Sequence, residues 1–353
     1  MSDVLALARP EIRALKPYSH AAWEPGLVRL HANENPWRDE SDRSGSGLNR
    51  YPEPQPAELV ARIAGLYGVA PAQVLVGRGS DEGIDLLVRA FCAAGADRIL
   101  VCPPTFGMYR VAASIQGAGV VEVPLDRGRG FALDATGVAA AWSPGLKIVF
   151  LCSPNNPTGN LLDPAAVGQV LESAEGRCLV VVDEAYAEFA PGTSLVPWLA
   201  RYPQLVILRT LSKAYGLAGA RLGAVLGAPE LIELLRRMIP PYALTVPTIE
   251  AALAALSQPG LARCRTRVDT LIEERRRLAT ALATLPLVER VWPSDANFLL
   301  VECADAGRLL AAGIRGGLLV RDVRSQTGLE RCLRITVGTP EENNRLLASL
   351  ESA

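Results

Sequence analysis

Histidine is nearly missing from this chain, with only His20 and His31 among 353 residues. A serine–histidine–aspartate triad or a multi-histidine metal site has almost nothing to be built from, and no metal site is expected. Charge excess is missing too: 36 Lys and Arg stand against 37 Asp and Glu, for a net charge of -1. That leaves no electrostatic footprint for nucleic acid or an anionic membrane. No apolar run approaches the ~20 residues that cross a bilayer, and Met1 to Arg13 do not read as a secretory signal, so a soluble cytoplasmic protein is expected. The seven cysteines are odd in number, lack CxxC spacing and fall mostly inside apolar runs, as reduced buried thiols do.

What is present centres on LVILRTLSKAYGLAGARLG, residues 205–223. The apolar run Leu205 to Leu208 suits a strand buried on both faces, and it breaks into Arg209, Thr210, Leu211, Ser212 and Lys213. The polar cluster then lies at a strand's carboxyl end, where open α/β sheets bind ligands. Most lysines are solvated, but Lys213 has hydroxyls at Thr210 and Ser212 and a cation at Arg221 for company, with Gly216 and Gly219 allowing close backbone approach. The pattern reads as a phosphate cradle beside an amine that can act as a nucleophile.

Elsewhere, residues 1–29 read as an arm containing Tyr18, followed by a turn-type cluster at Asn33 to Pro36 and a polar loop over 39–49. A Pro-rich piece from Tyr51 to Pro56 delivers the chain to a helix over Ala57 to Tyr67. After a strand at Gln73 to Val76, Ser80 and Asp81 open a helix whose amides can hold one phosphate. Strand and helix then alternate through Arg98 to Cys102, Thr105 to Gln116, Val120 to Val123 and Lys147 to Cys152. Phe106 and Tyr109 lie at the start of the Thr105 to Gln116 helix, and by burial statistics a ring there is more often core than cofactor platform. Asn155 and Asn156 sit between prolines at the next strand end. Cys178 to Val182 ends in Asp183, a carboxylate that needs either a cation or a helix-capping role, with Tyr186 close behind. The expected architecture is α/β: a large domain over 30–245 with a mostly parallel sheet between helices, and a smaller α+β domain over 246–353. Strands are expected at Asn297 to Glu302, Gly317 to Val320 and Cys332 to Val337, with Arg321 and Arg334 in or beside them and in need of an anion.

A lysine nucleophile, a carboxylate at a buried strand end, an asparagine, a tyrosine and a phosphate cradle are the parts that bind pyridoxal 5′-phosphate, with Lys213 bonding its aldehyde and Asp183 keeping its pyridine nitrogen protonated. NENP at 33–36, YPEPQP at 51–56, SPNNPTG at 153–159, DEAY at 183–186, RTLSKAYGLAGARLG at 209–223, SDANFLL at 294–300 and LRITVGT at 333–339 together resemble the histidinol-phosphate aminotransferase family.

The resemblance implies fold type I of the pyridoxal-phosphate enzymes, a homodimer with a shared active site, and amino transfer between histidinol phosphate and 2-oxoglutarate. It also implies that Asn156 and Tyr186 bond the cofactor's phenolic oxygen and that Tyr109 stacks on its ring. Ser80, Asp81, Thr210, Ser212, Arg221 and the partner's Tyr51 would hold its phosphate, and Tyr18, Arg321 and Arg334 the substrate's anionic group. An aromatic amino acid aminotransferase and a threonine-phosphate decarboxylase share these signatures. A pyridoxal-phosphate-binding regulator would carry a basic DNA-binding domain, for which there is no footprint.

Overall fold

The computed structural model describes residues 4–19, 24 and 26–351; His20 and Pro25 of the expected arm lie outside the described residues. After a short α1 (Pro10–Arg13), the elements run α2 (Ala57–Tyr67), β1 (Val74–Gly77), α3 (Ser80–Phe91), β2 (Arg98–Val101), α4 (Met108–Gln116), β3 (Gly119–Glu122), α5 (Ala135–Ala140) and β4 (Leu146–Cys152). They continue with α6 (Pro164–Ala174), β5 (Leu179–Asp183), β6 (Leu205–Thr210), β7 (Gly223–Leu226), α7 (Pro229–Arg236), α8 (Val246–Ala255) and α9 (Gln258–Leu282). The chain closes with β8 (Val288–Val291), β9 (Phe298–Cys303), α10 (Ala306–Arg315), β10 (Arg321–Asp322), β11 (Cys332–Thr336) and α11 (Pro340–Glu351).

The first seven strands form one sheet in the order β1-β7-β6-β5-β4-β2-β3. β2, β3, β4, β5 and β6 pair in parallel, while β7 runs antiparallel to both β1 and β6. Alternation along each strand explains why the runs are apolar throughout. Val149, Val182 and Ile207 point to one face with Leu59 of α2 and Val167 of α6. Phe150, Val181 and Leu208 point to the other with Leu87 of α3, Ala112 of α4 and Leu231 of α7. Both faces are therefore dry, and polar side chains on these strands are free to act only at the strand ends.

The second sheet, β10-β11-β9-β8, is antiparallel throughout and packs α9, α10 and α11 against Leu299, Val301, Leu333 and Ile335. Its other face shares a core with the first sheet: Leu300, Val323 and Cys332 cluster with Phe131 and Leu162. Ala252 and Leu256 also join that cluster, so α8 packs with α2.

The structure corrects two expectations and adds two strands. No strand covers Gly317 to Val320: β10 is only Arg321–Asp322, and Leu319 is 85% exposed, with no core to face. The helix expected from Thr105 begins at Met108, leaving Phe106 in the preceding loop. Strands β7 and β8 had no separate reading in the sequence, because four-residue segments without alternation give periodicity too little length.

Candidate active site

A cavity of about 530 Å³ opens at the carboxyl ends of β4, β5 and β6. Lys213, Asp183, Asn156, Tyr186, Thr210 and Ser212 line it, as do Ser80, Asp81, Arg221, Arg321 and Arg334. The sequence-predicted groups thus converge on one site, apart from Tyr109, Tyr51 and Tyr18.

At the floor, Asp183 is 2% exposed and held across the β5–β6 pairing opposite Leu208. Its Oδ1 accepts the Ala185 amide at 3.1 Å, and its Oδ2 accepts the Tyr109 hydroxyl at 2.9 Å. Burial pushes the carboxyl up to about 6, while the Tyr109 hydrogen bond pulls it back. A buried carboxylate facing a cavity is the complement of a protonated ring nitrogen.

Tyr109 cannot stack on a ring in the cavity, which corrects the role implied by the resemblance. It is fully buried, lies parallel to Phe150 with centroids 4.7 Å apart, and meets Asp183 from behind. The aromatic face offered to the cavity is Phe106, edge-on to Tyr109 at 5.6 Å. Phe106 is the functional candidate that sequence reasoning set aside as core. The signal was its place in the loop just beyond a buried strand.

Lys213 is open to the cavity but walled by protein behind. Burial first, and then the Arg334 and Arg221 cations, hold its ammonium below the ordinary lysine value, and Asp81 and Asp183 oppose them. Its Nζ sits 5.7 Å from the Tyr186 ring centroid. Tyr186 is 7% exposed and receives Asn156 Nδ2 at 3.4 Å, while Asn156 Oδ1 accepts from Arg334 Nη1. Asn156 thus bridges the tyrosine and the arginine.

The phosphate cradle is built from backbone as much as side chain. The first amides of the 12-residue α3 point at the cavity from Ser80 and Asp81. Gly223 lets β7 pass beneath them, since a Cβ there would stand 2.4 Å from the Ser80 nitrogen. Arg221 reaches over Gly79 to Asp81 Oδ2 at 3.1 Å, a half-exposed pair that an incoming phosphate can displace. These groups fit the phosphate end of pyridoxal phosphate, with Asp183 and Lys213 placed for its ring nitrogen and its aldehyde.

Arg321 and Arg334 stand directly opposite each other in the β10–β11 register, so their side chains share a face. Among the described residues neither forms an ion pair, and the buried Nε of Arg334 has no hydrogen-bond partner. Two facing guanidiniums without a carboxylate make an anion site. Gln326 and Val323 extend the same wall and were not singled out from the sequence.

Tyr51 and Tyr18 are not brought to this cavity. Tyr51 is 48% exposed, stacks on Tyr242 at 4.4 Å and borders a separate trough, and Tyr18 is 73% exposed. Among the described residues no helix is long and apolar enough to cross a membrane.

Comparison with known proteins agrees with this geometry. The family described as "Aminotransferase class I and II" matches residues 28–350. The histidinol-phosphate aminotransferase of Stenotrophomonas maltophilia (strain R551-3) is 49% identical over 100% of this chain and 98% of its own length. The solved histidinol-phosphate aminotransferase of Sinorhizobium meliloti, in complex with pyridoxal 5′-phosphate, superposes with TM-score 0.76 at 27% identity, covering 86% of this chain and 83% of that one. That of Clostridium acetobutylicum shares the fold, with TM-score 0.79 at 23% identity over 86% of this chain and 90% of its own. This chain belongs to the class I and II aminotransferase family, alongside the histidinol-phosphate aminotransferases.

Proposed function

We propose that the protein is a pyridoxal-phosphate-dependent aminotransferase of histidine biosynthesis, interconverting histidinol phosphate and 2-oxoglutarate with imidazole acetol phosphate and glutamate. The observation that carries the substrate reading is the Arg321–Arg334 pair. Two facing guanidinium forks, neither held in an ion pair among the described residues, suit a phosphate dianion in one half-reaction and a carboxylate in the other.

When bound, pyridoxal phosphate supplies an electron sink for the substrate's α-carbon electrons. The chain's own groups do the rest. Asp183 would supply negative charge to the ring nitrogen, Tyr186 and Asn156 would hydrogen-bond the phenolic oxygen, and Phe106 would pack against the ring. Ser80, Asp81, Thr210, Ser212 and Arg221 anchor the phosphate through amides, hydroxyls and a guanidinium. Lys213 Nζ, its proton affinity lowered by desolvation and by the Arg334 cation, is the amine that would accept and return the substrate's proton.

We further propose a cytoplasmic homodimer in which Tyr51 completes the partner's phosphate site and Tyr18 a substrate site. Exposed Leu27, Val28, Leu30 and Trp37, which lie in sequence between these two tyrosines, support an interface there, at 69%, 82%, 88% and 79%. The experiment is a substrate panel: histidinol phosphate with 2-oxoglutarate is expected to give kcat/KM at least about tenfold above phenylalanine. Comparable rates point to a broad aromatic aminotransferase, and carbon dioxide released from threonine phosphate to a decarboxylase.

A further inference from the structure

Behind the cavity lies an ion cluster to which the reaction assigns no part. Arg209, 6% exposed, places Nη1 at 2.6 Å from Glu184 Oε2 and Nη2 at 2.7 Å from Glu188 Oε1. Glu184 is fastened in turn by the Leu195 amide and the Ser194 hydroxyl, each at 2.6 Å. The guanidinium lies over the Tyr67 ring of α2, 4.4 Å from its centroid, and its Nε is unpartnered.

The placement follows from strand alternation. Glu184 is the residue after Asp183, and Arg209 the residue before Thr210. Asp183 and Thr210 therefore face the cavity, while Glu184 and Arg209 face the α2 side of the sheet. The Glu184 amide donates to the Leu208 carbonyl at 3.0 Å, so the ion pair spans β5 and β6 where both strands end. Replacing a buried ion pair by apolar side chains is often neutral or stabilising, so stability alone gives weak grounds for one here.

We propose that Arg209 is a positioning residue: clamped by Glu184 and Glu188, it fixes the end of β5, which carries Asp183, against the end of β6, which leads to Lys213. The two groups that must meet opposite ends of one rigid ring are thereby held at a constant separation. This rests on the cofactor reading above.

The test uses full-length Arg209→Met, Arg209→Lys and Glu184→Gln. For each, thermal unfolding is measured together with the dissociation constant of pyridoxal phosphate from the stripped protein, and with kcat and KM. Positioning predicts, in variants that unfold cooperatively, cofactor affinity weakened by about tenfold or more and kcat reduced by a similar factor, with KM moving less than about threefold. Arg209→Lys keeps the charge but not the fork, and is expected to fall between parent and Arg209→Met. Folded variants with parental dissociation constant and kcat overturn the proposal, as does failure of all three to fold, which assigns the cluster a structural role. Absence of cofactor binding by the parent protein refutes the cofactor reading instead.

Discussion

Replacing Tyr109 with phenylalanine removes one hydrogen bond and leaves the ring stacked on Phe150. The lost bond is the 2.9 Å contact to Asp183, the strongest influence opposing burial at a carboxyl already pushed up to about 6. A hydrogen bond to a charged group is worth about 1.5–3 kcal/mol, so the carboxyl of the variant should titrate about 1 to 2 pH units higher. Because the folded value lies above the ordinary aspartate value of 3.8, the group's contribution to stability is fully present below that value and lost as pH rises through about 6. In the variant the loss continues upward through the next one or two pH units. Urea unfolding of the cofactor-free proteins at pH 5.5 and pH 8 measures this directly. Glu188, also raised by burial, is common to both proteins and cancels in the difference. The variant should lose a further ~1–2 kcal/mol at pH 8 relative to its deficit at pH 5.5, less than the whole bond because the parent carboxyl is already partly ionised at pH 5.5. A deficit equal at the two pH values would show that the hydroxyl does not control Asp183.

Asp183→Asn keeps the shape and removes the charge: kcat should fall by at least about a hundredfold with the fold intact, whereas a helix-capping role alone costs about 1 kcal/mol of stability. Lys213→Ala should lose the visible absorbance of the lysine-bound cofactor and all turnover while still binding the cofactor weakly; a parental spectrum would refute its role. Mixing inactive Tyr51→Phe and Lys213→Ala proteins should restore part of the activity through hybrid dimers, and no recovery after proven subunit exchange counts against a shared site. Gly223→Ala should weaken cofactor binding, since the new methyl meets the Ser80 amide nitrogen at 2.4 Å, and unchanged affinity would show that the cradle yields.

Lys213 and Asp183 were legible in the sequence because each ends a dry strand with a polar group, and a sheet covered on both faces leaves such groups only the strand ends. The Arg321–Arg334 pair was legible as two arginines, but their face-to-face register depends on the β10–β11 pairing, which no local pattern encodes. Phe106 and Tyr109 were misassigned for a related reason. They lie three residues apart around one helix start, where periodicity assigns both to similar directions, and only the depth of α4 against Phe150 decides which ring reaches the cavity. The antiparallel direction of β7 was equally hidden, although it brings Gly223 beneath the α3 amides. Tyr51, in the Pro-rich piece, and Tyr18, in the amino-terminal arm, do not line this chain's own cavity, and no local pattern in the sequence places them.

Charge ties these observations together. The cavity gathers Lys213, Arg221, Arg321 and Arg334 against Asp81 and Asp183, and of the carboxylates only Asp81 meets one of these cations in an ion pair. Burial and mutual repulsion hold both Lys213 and Arg334 below their ordinary values. On the proposed reading, a dianionic phosphate at the α3 amides and a second anion between the facing arginines would meet this positive charge at two separate points. In that reading the positive excess is matched to two anions at once, one permanent and one exchanged in each half-reaction, and such matching would distinguish a two-substrate transferase site from a pocket that merely retains a phosphate.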